Sequence, residues 1–89
     1  MATKVAESSW RESRWLRYGE LLSGEIEQQF SRGDFSVADV ADQCECIAHL
    51  SDRNRYDIAI AICREMEERG WLLRNARLYY FPTRKRRAA

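Results

Sequence analysis

Residues 65–82 read EMEERGWLLRNARLYYFP, and this stretch decides the fold. Its first part is a helix-forming sequence that stops at Gly70, a residue type that suits the position after a helix because it adopts positive φ without steric cost. Two short runs rich in apolar and aromatic residues follow, 71–73 and 78–81, and such runs are typical of strands. Between them, Asn75-Ala76 would form a two-residue turn, since asparagine tolerates positive φ. The stretch therefore predicts a helix followed by a C-terminal β-hairpin.

The helix before this hairpin is predicted to begin at Ser51 or Asp52, either of which can act as its N-cap. Residues 58–62 alternate isoleucine and alanine and could be read as a strand, but the run continues unbroken into the helix-forming residues 63–69, which favours helix. A shorter helix is predicted to start after Ser36 and to reach about residue 48. Its apolar face would carry Val37, Val40, Ala41 and Cys44.

A third apolar stripe predicts a first helix over residues 10–31. Gly19 and Gly24 weaken this helix, so it could break near residues 22–24. Its members recur every three or four residues: Trp15, Tyr18, Leu22, Ile26 and Phe30. A turn would follow at residues 31–34. We therefore expect one mainly α domain with a C-terminal β-hairpin over residues 9–82, between a polar leader (1–8) and a basic tail (83–89).

The net charge of +1 conceals two oppositely charged regions. Residues 20–45 carry seven acids and one base, whereas residues 69–87 carry seven bases and no acid. Such segregation predicts either two electrically different surfaces or an acid-rich globular part with a basic arm.

From residue 35 to 81 the chain resembles a winged helix-turn-helix domain. Residues 64–72, REMEERGWL, look like the end of a recognition helix passing into the first wing strand of bacterial regulators, and residues 36–41, SVADVA, are similar to their second helix. The resemblance implies binding to double-stranded DNA as an accessory or transcription-regulatory protein. The first helix would then be free to support a homodimer, with Trp10 and Trp15 as core or dimer-contact residues.

The same resemblance implies which residues would contact DNA. Arg53, Asn54, Arg55 and Tyr56 would open the recognition helix and face base edges. Arg74, Asn75 and Arg77 at the tip of the wing would face phosphates or the minor groove. The tail residues Arg84, Lys85, Arg86 and Arg87 would add a salt-sensitive attraction that does not depend on sequence.

Two features depart from that family pattern. The segment 45–54 is longer than the tight turn of such domains, and Ile60 and Ala61 stand where a DNA-reading helix usually displays polar side chains. A helix that is apolar on most sides is normally a core helix, or it presents an apolar patch to another protein. A second hypothesis therefore stays open: an adaptor or inhibitor, similar to phage accessory proteins, that docks on a protein through its acidic or aromatic surface.

The chain offers little for catalysis, metal binding or membrane insertion. Its only histidine, His49, forms with Cys44, Cys46 and Cys63 the spacing C-x-C-x2-H-x13-C, which does not fit the usual paired zinc ligands. We expect buried or half-buried thiols, a surface histidine, no cofactor and no enzymatic activity. Because no apolar run reaches about 18 residues and the N-terminal residues lack a signal-peptide core, a cytoplasmic location without membrane contact is predicted.

Overall fold

The computed structural model describes residues 11–82 and contains three α-helices in that range. Helix α1 spans Glu20–Phe30 and is preceded without a break by a π-helical turn, Trp15–Gly19, and by helical residues 11–14. Helix α2 spans Val37–Gln43, and helix α3 spans Asp52–Glu68. None of these helices is both long enough and apolar enough to cross a lipid bilayer.

Strands β1 (Leu73–Asn75) and β2 (Leu78–Tyr80) form an antiparallel hairpin at the end of the described range. The predicted class, a mainly helical chain that ends in a β-hairpin, is confirmed. A further β-bridge that the sequence did not predict joins Phe35 to Tyr79. The two residues exchange backbone hydrogen bonds of 3.0 and 2.7 Å, which fixes the segment before α2 against β2.

The first helix continues without a break through residues 22–24 and is irregular instead at Trp15–Gly19. In the π-helical turn, the Trp15 ring lies directly on Gly19, so that a Cβ at Gly19 would be 2.6 Å from it. The ring also packs against Trp71, at 5.8 Å between centroids, and under the Arg69 guanidinium at 4.4 Å. The wide turn and the missing side chain at Gly19 thus allow Trp15 to reach α3 and the start of the hairpin.

Helix α2 begins as predicted and ends earlier than predicted. The Ser36 hydroxyl accepts the Asp39 N–H and the Asp39 carboxylate accepts the Ser36 N–H, which forms a capping box. The helix was expected to reach about residue 48 but stops at Gln43, because Cys44 takes an extended conformation. A 3₁₀ turn, Glu45–Ile47, follows it.

The early end of α2 is stabilised from α1. The Glu25 carboxylate accepts the backbone N–H groups of Glu45 (2.6 Å) and Cys46 (3.0 Å) and the side-chain amide of Gln29 (2.8 Å). Burial raises the pKa of Glu25, but these hydrogen bonds lower it, and the net pKa lies below 4.5. The Glu25 carboxylate of α1 therefore caps the 3₁₀ turn that follows α2.

Helix α3 has the predicted ends. Ser51 caps its N-terminus by accepting the Asn54 N–H, and Gly70 follows its C-terminus with φ of 83°. The Gly70 N–H bonds to the Glu67 carbonyl and the Trp71 N–H to the Met66 carbonyl, which is the hydrogen-bond pattern of a Schellman motif. The Ile-Ala run at 58–62 is helical, as its context predicted.

The hairpin turn lies one residue later than predicted. Asn75 pairs with Leu78, so the turn residues are Ala76 and Arg77 rather than Asn75 and Ala76, and Ala76 takes the positive φ of 60°. Between the helices and the hairpin lies one hydrophobic core. Its fully buried larger side chains come from every element or from the segments beside it: Leu22, Ile26, Phe35, Val40, Ile47, Ile62, Met66 and Leu72.

Candidate nucleic-acid interface

An open groove of about 390 Å³ lies between α3, the beginning of α2 and the hairpin. Arg64 reaches it from α3, Arg74 from β1 and Arg77 from the hairpin turn. Tyr56 and Ile60 line the α3 wall, and no acidic side chain is among its described lining residues. We call this feature the arginine groove, and its charge makes it suitable for a polyanion.

The α3 wall follows from helical geometry. At about 100° per residue, Arg53, Tyr56, Ile60 and Arg64 fall within roughly 80° of one another on one face of the helix. Arg53 and Arg64 are exposed, and Tyr56 is 48% exposed. The opposite face, which includes Ala59, Ile62 and Met66, is buried in the core. Packing of α3 on the core thus turns the Arg53–Tyr56–Ile60–Arg64 face outward.

An ion pair joins the hairpin wall to α3. The Arg74 Nε lies 3.4 Å from a Glu67 carboxylate oxygen, and both side chains are partly exposed. A surface pair of this kind contributes about 0–1 kcal/mol, so its main effect is to orient the hairpin and reduce the charge available on Arg74. Beside it, burial raises the pKa of the Tyr79 phenol, while Arg74 and Arg64 oppose that rise. Arg64 and Arg77 have no ion pair with another described residue.

The structure brings together only some of the residues predicted to contact DNA. Tyr56, Arg74 and Arg77 share the arginine groove, and Arg53 lies on the same face of α3 one turn earlier. Asn75 is exposed at the end of β1 but does not line the groove. The predicted tail residues Arg84, Lys85, Arg86 and Arg87 lie outside the described residues.

Two predicted residues at the start of α3 have other positions. Asn54 lines a cleft between α3 and the first helix, on a different side from the arginine groove. Arg55 donates to the Leu50 carbonyl at 2.9 Å and also pairs with Asp52, so it joins the loop before α3 to the helix. Sequence reasoning placed all four residues 53–56 together, whereas helical rotation separates them.

Arg64 is the groove residue that sequence reasoning missed. It was noted only as part of the helix-forming run before Gly70. Its spacing gave a usable signal, because Arg64 is four residues after Ile60 and eight after Tyr56, and residues four apart are neighbours on a helix surface. A stripe drawn from Arg53 through Tyr56 would have included it.

A second groove, also of about 390 Å³, lies between α1 and the start of the hairpin and has a different character. Met66, Trp71 and Phe81 form its apolar side, and Glu20 and Glu27 stand on its α1 side. Trp71 is 45% exposed. Gly24 and Gly70 leave it open, since a Cβ on either would meet no atom within 4 Å. We call it the acidic groove.

The basic residues and leucines of the first helix do not extend the arginine groove. Arg11 pairs with Glu68 at 3.0 Å and Arg14 with Asp57 at 3.2 Å, so these cations join the first helix to α3. On the other hand, Leu16 and Leu21 are 80% and 69% exposed. They form an exposed apolar surface on this helix. The homodimer through this helix remains a prediction.

The cysteines lie in or beside the core. Cys44 and Cys63 are buried and Cys46 is half-buried, while His49 is exposed, which confirms the expected buried or half-buried thiols with a surface histidine. Burial is the main cause that raises the pKa of Cys44 and Cys63 to about 12 and that of Cys46 to about 11. Among residues 11–82, no three histidine, cysteine or acidic side chains are grouped so that they could hold a metal ion.

Comparisons with models of known protein families, with curated proteins and with solved structures find no match to this chain. The assignment of a function therefore rests on the geometry of the two grooves.

Proposed function

We propose that this chain is a DNA-binding accessory or transcription-regulatory protein with a winged helix-turn-helix fold. Helices α2 and α3 would form the helix-turn-helix, and the β1–β2 hairpin would be the wing. The bridge between Phe35 and Tyr79 supports this assignment, because it adds a short strand segment before α2 to the outer side of the hairpin, next to β2. The segment between α2 and α3 is longer than a tight turn and contains the 3₁₀ turn Glu45–Ile47.

The arginine groove is the observation that carries the proposal. The exposed face of α3 ends in this groove, and three arginines face the same opening. Arg74 pairs with Glu67, whereas Arg64 and Arg77 have no ion pair with another described residue. An α-helix with its side chains is about 10–12 Å wide and fits the major groove of B-form DNA, which is about 12 Å wide. In that position Arg53, Tyr56 and Arg64 would approach base edges, while Arg74 and Arg77 would contact phosphates.

Fluorescence anisotropy with a labelled random-sequence duplex, measured between 50 and about 200 mM salt, tests the proposal. We expect log affinity to fall linearly with log salt, because each phosphate contact releases counterions. The double variant Arg64→Gln/Arg77→Gln should reduce the slope by about 1, since Arg77 would contact a phosphate whereas Arg64 would approach a base edge, and should weaken binding at least about tenfold at moderate salt.

A charge-matched control separates the groove from the net charge of the protein. Arg17→Gln/Arg32→Gln removes two exposed arginines that do not line the arginine groove. It should leave affinity within about twofold of the wild type, since long-range attraction between exposed charges is screened. Equal losses from both double variants, or no duplex binding at the lowest salt, would contradict the proposal.

The acidic groove favours a second candidate function, a protein-binding adaptor or inhibitor. Partly exposed Trp71 beside buried Met66 and Phe81 offers an apolar contact, and Glu20 and Glu27 stand beside it without an ion pair among the described residues. A basic segment of a partner with one apolar side chain would complement this surface.

A pull-down with tagged protein after nuclease treatment distinguishes the two functions. The adaptor hypothesis expects one stoichiometric protein that is retained by Arg64→Gln/Arg77→Gln and lost with Glu20→Gln/Glu27→Gln. Recovery that requires intact nucleic acid supports the DNA-binding function instead.

A further inference from the structure

Ile60 is an apolar side chain at the centre of a cationic surface. It lines the arginine groove with Arg64, Arg74 and Arg77, and on α3 it lies between Tyr56 and Arg64, four residues from each. An isoleucine in this place has no electrostatic role. Its contribution must come from shape and from contact with an apolar group.

The hydrophobic core does not account for Ile60. The other apolar residues of its run, Ile58, Ala59, Ala61 and Ile62, are all buried. Ile60 is half-buried, and it belongs neither to the core cluster nor to the partly buried hydrophobic residues packed against that cluster. Val37, which also lines the groove, is packed against the core. Ile60 is therefore the apolar groove residue on α3 that remains available for a ligand.

The chemistry of the major groove supplies one suitable contact. Guanine, adenine and cytosine present hydrogen-bond donors and acceptors there, whereas thymine also presents its C5-methyl group. An apolar side chain in the middle of a helix that lies in this groove can recognise that methyl. The hydrogen-bonding side chains on either side, Tyr56 and Arg64, would fix the position of the helix without competing for the methyl group.

We propose that Ile60 contacts the C5-methyl group of a thymine and makes the DNA sequence bound by this protein specific for thymine at one position. This inference rests on the proposed DNA-binding function and identifies a feature of its ligand. It also gives a role to the apolar residue that departs from the polar pattern of DNA-reading helices.

The test begins with selection of preferred sequences from a random-sequence duplex pool by the full chain. Each thymine of the best duplex is then replaced singly by uracil, which keeps the base pair and the O4 acceptor but lacks the methyl group. At one thymine of each bound site we expect wild-type affinity to fall about fourfold, as the loss of one buried methyl predicts. Replacement at the other thymines should change affinity less than twofold.

A double-mutant cycle assigns that methyl to Ile60. The Ile60→Ala variant should lose a similar factor on the thymine duplex and show no further loss on the uracil duplex, because the contact is already absent. Leu73→Ala shortens a partly exposed aliphatic side chain that does not line the groove and should keep the full thymine-to-uracil difference. Circular dichroism checks that both variants keep the thermal unfolding midpoint of the wild type within a few degrees.

The outcomes separate this inference from the function on which it rests. Tight duplex binding that tolerates uracil at every position, or an Ile60→Ala variant that stays sensitive to uracil, would overturn the role of Ile60 and leave DNA binding intact. Selection that yields no bound duplex would overturn the proposed function itself.

Discussion

Two glycines of the first helix should respond in opposite directions to the same substitution. Gly19 and Gly24 are both helical and five residues apart. A Cβ at Gly19 would lie 2.6 Å from the Trp15 ring, about 0.8 Å inside ordinary contact, whereas a Cβ at Gly24 would meet nothing within 4 Å. The comparison therefore isolates the effect of close packing from that of helix propensity.

The expected magnitudes follow from these two distances. Inside a helix, alanine is more stabilising than glycine by about 1 kcal/mol, and this is the whole change in stability expected of Gly24→Ala. At Gly19 the ring cannot move away freely, because Trp71 and Arg69 pack on it. Overpacking of this kind costs about 1–3 kcal/mol. We expect Gly19→Ala to be destabilised by about 1 kcal/mol net and Gly24→Ala to be stabilised by up to about 1 kcal/mol.

Urea and thermal unfolding followed by far-ultraviolet circular dichroism measure both changes. One kcal/mol corresponds to about 4–8 °C in Tm for a domain of this size, so the two variants should differ by roughly 10 °C. In a Trp15→Leu background the penalty of Gly19→Ala should disappear, because the ring that it meets is gone. If Gly19→Ala is as stable as Gly24→Ala, then the Trp15 ring does not pack closely enough on Gly19 to exclude a side chain there.

Three further predictions concern the hairpin, the 3₁₀ turn and the arginine groove. Ala76→Gly should stabilise the fold by about 0.5–1 kcal/mol in urea unfolding, because Ala76 has positive φ; a loss of stability would contradict this account. Glu25→Gln should cost about 1 kcal/mol near neutral pH. The pKa of Glu25 is lowered in the folded state, so its stabilisation is complete above the unfolded pKa of 4.5 and is lost as pH falls through the folded pKa. The stabilities of the wild type and the variant should therefore converge in acid-unfolding curves. Glu67→Gln should raise duplex affinity about two- to fivefold in anisotropy measurements by freeing Arg74, and unchanged affinity would show that Arg74 does not contact DNA.

The helix ends on α3 could be predicted from sequence because their causes are local. Ser51 and Gly70 each act through backbone groups within a few residues, so residue type and spacing were enough. The end of α2 had a different cause. Glu25 stabilises the turn at Glu45 and Cys46 from about 20 residues away, and no pattern near residue 44 indicates that partner.

The hairpin turn illustrates a conflict between local propensity and tertiary packing. Asn75 is the better residue for positive φ, yet Ala76 takes that conformation. Burial of Leu72 and Tyr79 and the bridge from Phe35 to Tyr79 fix which side of the hairpin faces the core. Since a shift by one residue would turn Tyr79 away from the core, packing determines the register and the turn follows it.

The apolar run at residues 58–62 connects the core with the proposed specificity. Five consecutive residues on a helix cover a full turn, so a helix that packs on one side cannot bury all of them equally. Ala59 and Ile62 of this run are buried, as is Met66 one turn later. Ile60 falls on the side where Tyr56 and Arg64 face the arginine groove. The run that resembled a strand therefore serves two purposes. Four of its residues are buried, and Ile60, which is turned away from the core, offers an apolar contact among the arginines of the groove.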